Sequence, residues 1–195
     1  MSQKRLPADK RKKIIIRSAI KVFAGSNYRL AKVSEIAELA GVTEPMVYRY
    51  FHTKKNLFLE ILKVISQRTI ERIQIEAAEY LQSGLLFIEK ATYNYLNSMD
   101  RFRNELKIYY QAISEIDDAD IKMTLQNSYR SYAKFYENAV IKAINKGEIS
   151  KDVDAMAWAW NMVGLLIHLS TYYLLDLYRK EDAELMIRQH IDLLR

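Results

Sequence analysis

Three histidines, His52, His168 and His190, are the only imidazoles in this 195-residue sequence, and it contains no cysteine. A thiolate nucleophile, a thiolate metal site and a disulfide scaffold are therefore excluded. No two histidines stand at the helical spacing of a metal pair, and no glycine-rich loop offers backbone amides to a nucleotide phosphate. Asp117, Asp118 and Asp120, like Glu181, Asp182 and Glu184, stand where helices should begin, and the positive end of a helix dipole accounts for them. This inventory is that of a non-enzyme, and nothing in it calls for a cofactor or a metal.

Binding chemistry concentrates between Lys32 and Lys54. Thr43, Glu44, Pro45, Met46, Tyr48, Arg49 and Tyr50 bring hydroxyls, a guanidinium and small apolar groups into one short stretch. Such groups meet phosphates, sugars and base edges in a groove. The charge agrees: residues 1–63 hold 14 Lys/Arg against 5 Asp/Glu, whereas residues 64–195 hold 16 against 19, giving +6 overall. A basic first third suits a polyanion. The plainer alternatives are a solvated basic tail and, for Tyr48 and Tyr50, ordinary surface aromatics.

Those groups need two helices crossing at a tight turn. Ala37, Gly41 and Val47, at offsets of 4 and 10, supply a small crossing residue, a turn residue free to take positive φ, and an apolar anchor. Ile36, Leu39 and Val42 are expected to seal this pair against Phe23 and Ala19. Helical hairpins with a glycine turn are common, so the pattern alone leaves DNA binding as one of two readings.

Periodicity divides the chain into about nine helices. The first runs from about Ala8 to Ala24, the second from Val33 to Ala40, and the third from Glu44 to Tyr50. Thr53 should cap a long fourth helix reaching about Leu81, closed by Ser83-Gly84. A fifth covers Leu85 to Met99 and a sixth Asn104 to Ile116. Asp117 or Asp118 caps a seventh, which ends at Lys146-Gly147. Asp152 or a neighbour starts an apolar eighth, and a ninth follows Glu181-Asp182. With two prolines and five glycines in all, the chain lacks turn punctuation for a strand-rich fold.

From Phe23 to Leu57 the sequence resembles the TetR family of one-component repressors. Phe23, Tyr28, Val33, Ile36-Ala37, Ala40-Gly41-Val42-Thr43, Tyr48, Phe51, Lys54 and Leu57 fall on the family pattern in register. Ala143 to Asp154 loosely resembles the junction before the family's dimer helix. The resemblance implies an all-α fold with a three-helix helix-turn-helix head (1–53) on a ligand-binding and dimerisation bundle (54–195), the helix 54–81 linking the two. It implies that Glu44, Pro45, Met46 and Arg49 approach base edges, with Thr43, Tyr48, Tyr50 and Lys54 on the backbone and Phe51 packed inward. Asn27 stands where the family has glycine and is expected to serve as a left-handed cap. Ala31-Lys32 replaces the usual hydroxyl N-cap, leaving Lys32 as a point charge for a phosphate. The leader, with Lys4, Arg5 and Lys10 to Lys13, either adds backbone contacts or is an unstructured tail.

Residues 64–195 hold 11 of the 14 tyrosines and both tryptophans. Tyr93, Tyr109, Tyr110, Tyr129, Tyr132, Tyr136, Trp158 and His168 are the expected contacts of an apolar or aromatic small-molecule effector; the alternative is that they fill an ordinary core. Arg68, Arg72 and Lys90 are expected either on a solvated face, the default, or against an acidic group of the effector. Ala155 to Leu175 carries no formal charge, but its polar side chains argue for a helix buried in protein rather than lipid. Helices eight and nine should pair two copies into a homodimer that reads a palindromic double-stranded operator. A cytoplasmic location and no membrane partner are expected. The rival function is a helical small-molecule carrier or adaptor with no DNA role.

Overall fold

A computed structural model describes residues 7–194. Among these residues the fold is all-α: nine α-helices, two single-turn 3-10 segments and no strand. The order is α1 (Ala8–Ser26), α2 (Val33–Ala40), α3 (Glu44–Phe51), α4 (Lys54–Glu76), α5 (Gly84–Asn97), α6 (Arg103–Ile113), α7 (Ala119–Asn145), α8 (Ala155–Leu174) and α9 (Lys180–Asp192). Lys4 and Arg5 of the leader lie outside the described residues. Lys10 to Lys13 lie in α1, where the Lys12 ammonium pairs with Glu60 at 2.6 Å.

Several helix ends follow local capping chemistry. Gly41 closes α2 at φ 64°, with the Val42 N–H bonded to the Ala37 carbonyl. Gly147 closes α7 in the same manner at φ 70°, with the Glu148 N–H on Ala143. Thr53 caps α4 through its hydroxyl, Asp118 receives the Asp120 and Ile121 amides ahead of α7, and Asp154 receives the Ala157 amide at the start of α8.

Three boundaries depart from the sequence expectation, the simplest being α6, which ends at Ile113 rather than Ile116. Helix α4 stops at Glu76 and passes into a 3-10 turn, Ala78–Tyr80, instead of reaching Leu81. The Leu81 and Gln82 carbonyls are taken by the Lys142 and Lys146 ammonium groups of α7, so the chain satisfies them outside a helix. Ser83 does not close α4. Its hydroxyl caps α5 at Leu86, and Glu148 accepts both the Ser83 hydroxyl and the Leu85 amide. Helix α9 also begins earlier than expected, with Glu181 and Asp182 inside its first turn.

The chain forms two compact units: residues 1–65 with 104–125, and residues 66–103 with 126–195. Helices α4 and α7 each contribute to both. The first unit is built on Ile15, Ala19 and Phe23 of α1, Ile36 of α2, Leu57, Phe58, Ile61 and Leu62 of α4, and Ile108 of α6, none more than 2% exposed. The second packs α5, α7, α8 and α9 around Ile88, Ala91, Val140, Ala143, Ala159, Met162 and Ile187, each fully buried. No helix among the described residues, α8 included, is long and apolar enough to cross a membrane.

The second unit contains one very tight crossing. A Cβ on Gly84 would lie 2.5 Å from the Ala143 amide nitrogen and 2.7 Å from the Ala139 carbonyl oxygen, both backbone atoms of α7. Only glycine admits that approach. Gly84→Ala should therefore destabilise the protein by about 1–3 kcal/mol, despite alanine's better helix propensity, as read from the urea midpoint. An unchanged midpoint would show that α5 is free to shift away from α7.

Candidate nucleic-acid interface

Aromatic packing positions the first-unit helices. Phe23 and Phe58 meet edge to face at 5.3 Å, and Tyr28 lies against both, at 6.0 Å and 4.4 Å between ring centroids. Burying a phenylalanine side chain stabilises by about 1.5–3 kcal/mol, so these rings fix α1, the α1–α2 turn and α4 as one body. Burial raises the Tyr28 phenol above its ordinary value, with the nearby Asp118 and Glu115 carboxylates adding to the effect. Helices α2 and α3 close on this body through Val33, Ile36, Ala37, Val47 and Phe51. Leu39 does not join the seal: it is 52% exposed, because its position on the eight-residue α2 turns it away from α1.

Packing Val47 and Phe51 inward turns the opposite face of α3 to solvent. Thr43, Pro45, Tyr48 and Arg49 are exposed, and Glu44, Met46 and Tyr50 are half-buried beside them. The Thr43 hydroxyl makes no capping bond, although Thr43 is the N-cap, and Pro45 occupies the first turn, where a missing N–H is harmless. The Arg49 guanidinium lies 5.9 Å from the Tyr50 ring. Lys32 is exposed ahead of α2 and caps nothing with its side chain. Seven of the nine expected residues thus lie on α3 or its N-cap, four of them exposed, while Lys32 is exposed at the start of α2.

Lys54 is placed differently. Its ammonium donates to the Arg29 and Ala31 carbonyls, at 3.0 and 3.1 Å, and stands 5.2 Å from the Tyr28 ring. It ties the α1–α2 turn to α4, a structural task that leaves less of its charge for a phosphate. Two backbone features escaped the sequence reading. Asn27 has positive φ, 105°, but ψ is 165°, so the turn is not the left-handed cap expected. That region is nearly exclusive to glycine, and the Asn27 side chain offsets its strain by accepting the Leu30 amide at 2.9 Å. His52, between α3 and α4, has φ 63° and ψ −47°, and the Thr53 amide bonds back to the Phe51 carbonyl at 2.7 Å. This is a γ-turn, a connection with no slack. No sequence signal marks it, since histidine has no preference for that conformation.

The aromatic residues expected to meet an effector are dispersed. Tyr109 and Tyr110 belong to the first unit, where the buried Tyr109 hydroxyl faces the Leu62 carbonyl at 3.4 Å. The others are in the second unit. Tyr136 and Trp158 fill its core: the Tyr136 hydroxyl meets Thr92, and the Trp158 indole N–H donates to the His190 carbonyl. Burial pushes the Tyr136 phenol well above its ordinary value. Tyr93, Tyr129 and Tyr132 are half-buried, and His168 is exposed beside Tyr172 on α8. A cavity of about 440 Å³ lies in the second unit, open to solvent and lined by Ile70 and Gln74 of α4, Leu81, Phe87 of α5, and Ser131, Lys134, Phe135, Asn138, Ala139 and Lys142 of α7. None of the eight expected residues lines it. Phe87 and Phe135 come together at 5.7 Å from 48 positions apart, which periodicity does not reveal.

An exposed second helix of a helix-turn-helix, set on a basic head and joined to a helical body, defines a DNA-binding regulator. Residues 15–61 match the family model of bacterial regulatory proteins of the tetR family. The chain is 26% identical, over 162 residues and 82% of each sequence, to YhgD of Bacillus subtilis, described as an HTH-type transcriptional regulator. Among solved structures it is similar to a chain from Rhodococcus sp. described as a TetR-family transcriptional regulator, with a TM-score of 0.84, 20% identity, and 95% of this chain and 98% of that one covered. It is also similar to the transcriptional regulator FadR of Bacillus subtilis in complex with stearoyl-CoA, with a TM-score of 0.78, 20% identity, and coverage of 93% and 96%. Residues 15–61 thus carry the head of the tetR family, and the chain as a whole shares its fold with TetR-family regulators.

The two placements predict different losses. Lys54→Ala leaves two carbonyls without their ammonium and should lower unfolding free energy by about 1–3 kcal/mol. Tyr48→Ala, at an exposed ring, should change it by less than about 0.5 kcal/mol. Thermal melts of the two variants check this, and equal melting temperatures would refute the structural task given to Lys54.

Proposed function

We propose that this protein is a cytoplasmic repressor that grips a palindromic double-stranded operator as a homodimer and is released by a small-molecule effector. The observation that carries the reading is the solvent-facing side of α3, with Pro45, Tyr48 and Arg49 exposed on a basic head. In this reading Glu44, Pro45, Met46 and Arg49 contact base edges, while Thr43, Tyr48, Tyr50 and Lys32 hold the backbone. Thr43 stands at the N-terminus of α3, where a phosphate is stabilised by free amides and the helix dipole. Any phosphate role for Lys54 is secondary to its hold on the α1–α2 turn. By role, the head is residues 1–53 and the sensing body residues 54–195.

The dimer proposal rests on apolar surface left open on α8 and α9. Met156, Trp160, Leu185 and Leu193 are between 38% and 72% exposed. Gly164 lies four residues from both Trp160 and His168, and a Cβ there would meet nothing within 4 Å. A second copy, packing helices against that stripe, would bury it as a four-helix bundle. The two recognition helices would then read half-sites about 34–36 Å apart.

For the effector, the supporting observation is the cavity between α4, α5 and α7, where Ile70, Leu81, Phe87, Phe135 and Ala139 stand beside Gln74, Ser131, Lys134, Asn138 and Lys142. Its apolar walls fit an apolar or aromatic body, and the similar FadR structure with stearoyl-CoA favours a chain-like one. Tyr93, Tyr129 and Tyr132 are further candidates for contact. Binding there would favour a conformation in which the heads no longer match the operator.

The protein should retard its own upstream DNA in a gel shift, with affinity falling steeply as salt rises. Tyr48→Ala should weaken binding on every sequence, whereas Met46→Ala should change which sequences are preferred. Absence of retardation at low salt, on that fragment and on selected random DNA, would overturn the reading. Sedimentation should give a dimer at micromolar concentration and a monomer for Trp160→Glu; a monomeric parent protein would refute the α8–α9 assignment.

A further inference from the structure

The acidic groups between α6 and α7 do more than complement a helix dipole. Glu115 accepts the Arg29 guanidinium through both oxygens, at 2.6 and 3.0 Å. Asp118 and Asp120 share the Lys55 ammonium at 2.9 and 2.7 Å. Gln111, one turn before Glu115, donates to the Phe23 carbonyl at 2.8 Å, which also receives the Asn27 amide that closes α1. All of these groups lie within the first unit.

The three attachments fall at the three places that set the direction of the head helices. One is the end of α1, one the α1–α2 turn, and one the first turn of α4. Between the last and α3 lies only the His52 γ-turn, so α3 has no slack relative to Lys55. Neither Arg29 nor Lys55 belongs to the exposed face of α3, and both are occupied by carboxylates. We propose that Glu115, Asp118 and Asp120 form a carboxylate clamp on Arg29 and Lys55, which positions the recognition helix for DNA without touching DNA. The inference rests on the DNA-binding reading of α3.

Electrostatics agrees with the geometry. Hydrogen bonding to Asp120 and then Asp118 raises the Lys55 ammonium above its ordinary value, and hydrogen bonding to Glu115 raises the Arg29 guanidinium. Hydrogen bonds from Lys55 and from the Ile121 amide hold the Asp118 carboxyl below the usual range. Asp118 carries a second duty, since it also receives the amides that open α7. The head and the start of α7 therefore share one carboxylate. Lys55 is thereby tied to the start of α7, one residue after Lys54 and four after the end of α3.

The test compares DNA affinity and its salt slope in the full-length protein, well below its melting temperature. Glu115→Gln with Asp118→Asn removes the charges while asparagine still caps α7. Exposed ion pairs are each worth a factor of about two to five in an equilibrium, so affinity should fall about tenfold. The slope of log affinity against log salt should stay unchanged, because it counts phosphates neutralised and the clamp neutralises none. Lys55→Gln should weaken binding similarly and Lys55→Arg should restore it, while circular dichroism shows a folded protein for each. A rise in affinity, or a shallower salt slope for Lys55→Gln, would show that these cations meet DNA and would overturn the clamp. Unchanged affinity would reduce the pairs to surface decoration and overturn it equally. If the parent protein itself binds no DNA, the functional reading fails instead, and the two failures are distinguishable.

Discussion

The edge-to-face contact of Phe23 with Phe58, with Tyr28 leaning on both, is the interaction on which the first unit of the molecule depends. It joins the end of α1, the following turn and the first half of α4 around rings that exclude water. Lys54 can capture the Arg29 and Ala31 carbonyls only because Tyr28 holds that turn against α4. Without the aromatic joint, α2 and α3 would have no fixed platform.

Rigidity is then passed along the chain by short connections. Gly41 turns α2 into α3 with two closing hydrogen bonds, and His52 turns α3 into α4 within a single residue of positive φ. Strain is concentrated at His52 and Asn27, two non-glycine residues that flank the head helices. Both are offset locally, Asn27 by its bond to the Leu30 amide and His52 by the tight Phe51–Thr53 contact. Such stiffness suits the proposed reading of base edges, because contacts of that kind lose their value when the helix carrying them wobbles.

The body follows a different economy. Its helices cross through small residues, with Gly84 against Ala139 and Ala143 as the tightest case, and its polar side chains are spent on the ends of helices. Glu148, Ser83, Lys142 and Lys146 all serve the single junction from residue 81 to residue 86. That junction borders the cavity at Leu81, Phe87 and Lys142. The same side chains therefore close the chain reversal and shape one wall of the place where an effector is proposed to sit.

By itself the sequence determined the helix count, the extent of α2, the glycine turn at Gly41, the Thr53 cap and the inward anchor Val47. Each is a local matter, settled by residues three or four positions apart that meet on one helix face or at one helix end. The basic head and the outward residues of α3 were legible for the same reason, because fixing the buried face of a short helix also fixes its exposed one. Tertiary structure alone decided what lies between distant segments: Lys54 on the α1–α2 turn, Arg29 on Glu115 across 86 positions, Phe87 beside Phe135, and the Leu81 and Gln82 carbonyls that stop α4 short. It also sent Tyr136 and Trp158 into the core while leaving Tyr93 partly open. Spacing along a chain tells which residues share a face, but which faces meet depends on packing the whole domain at once.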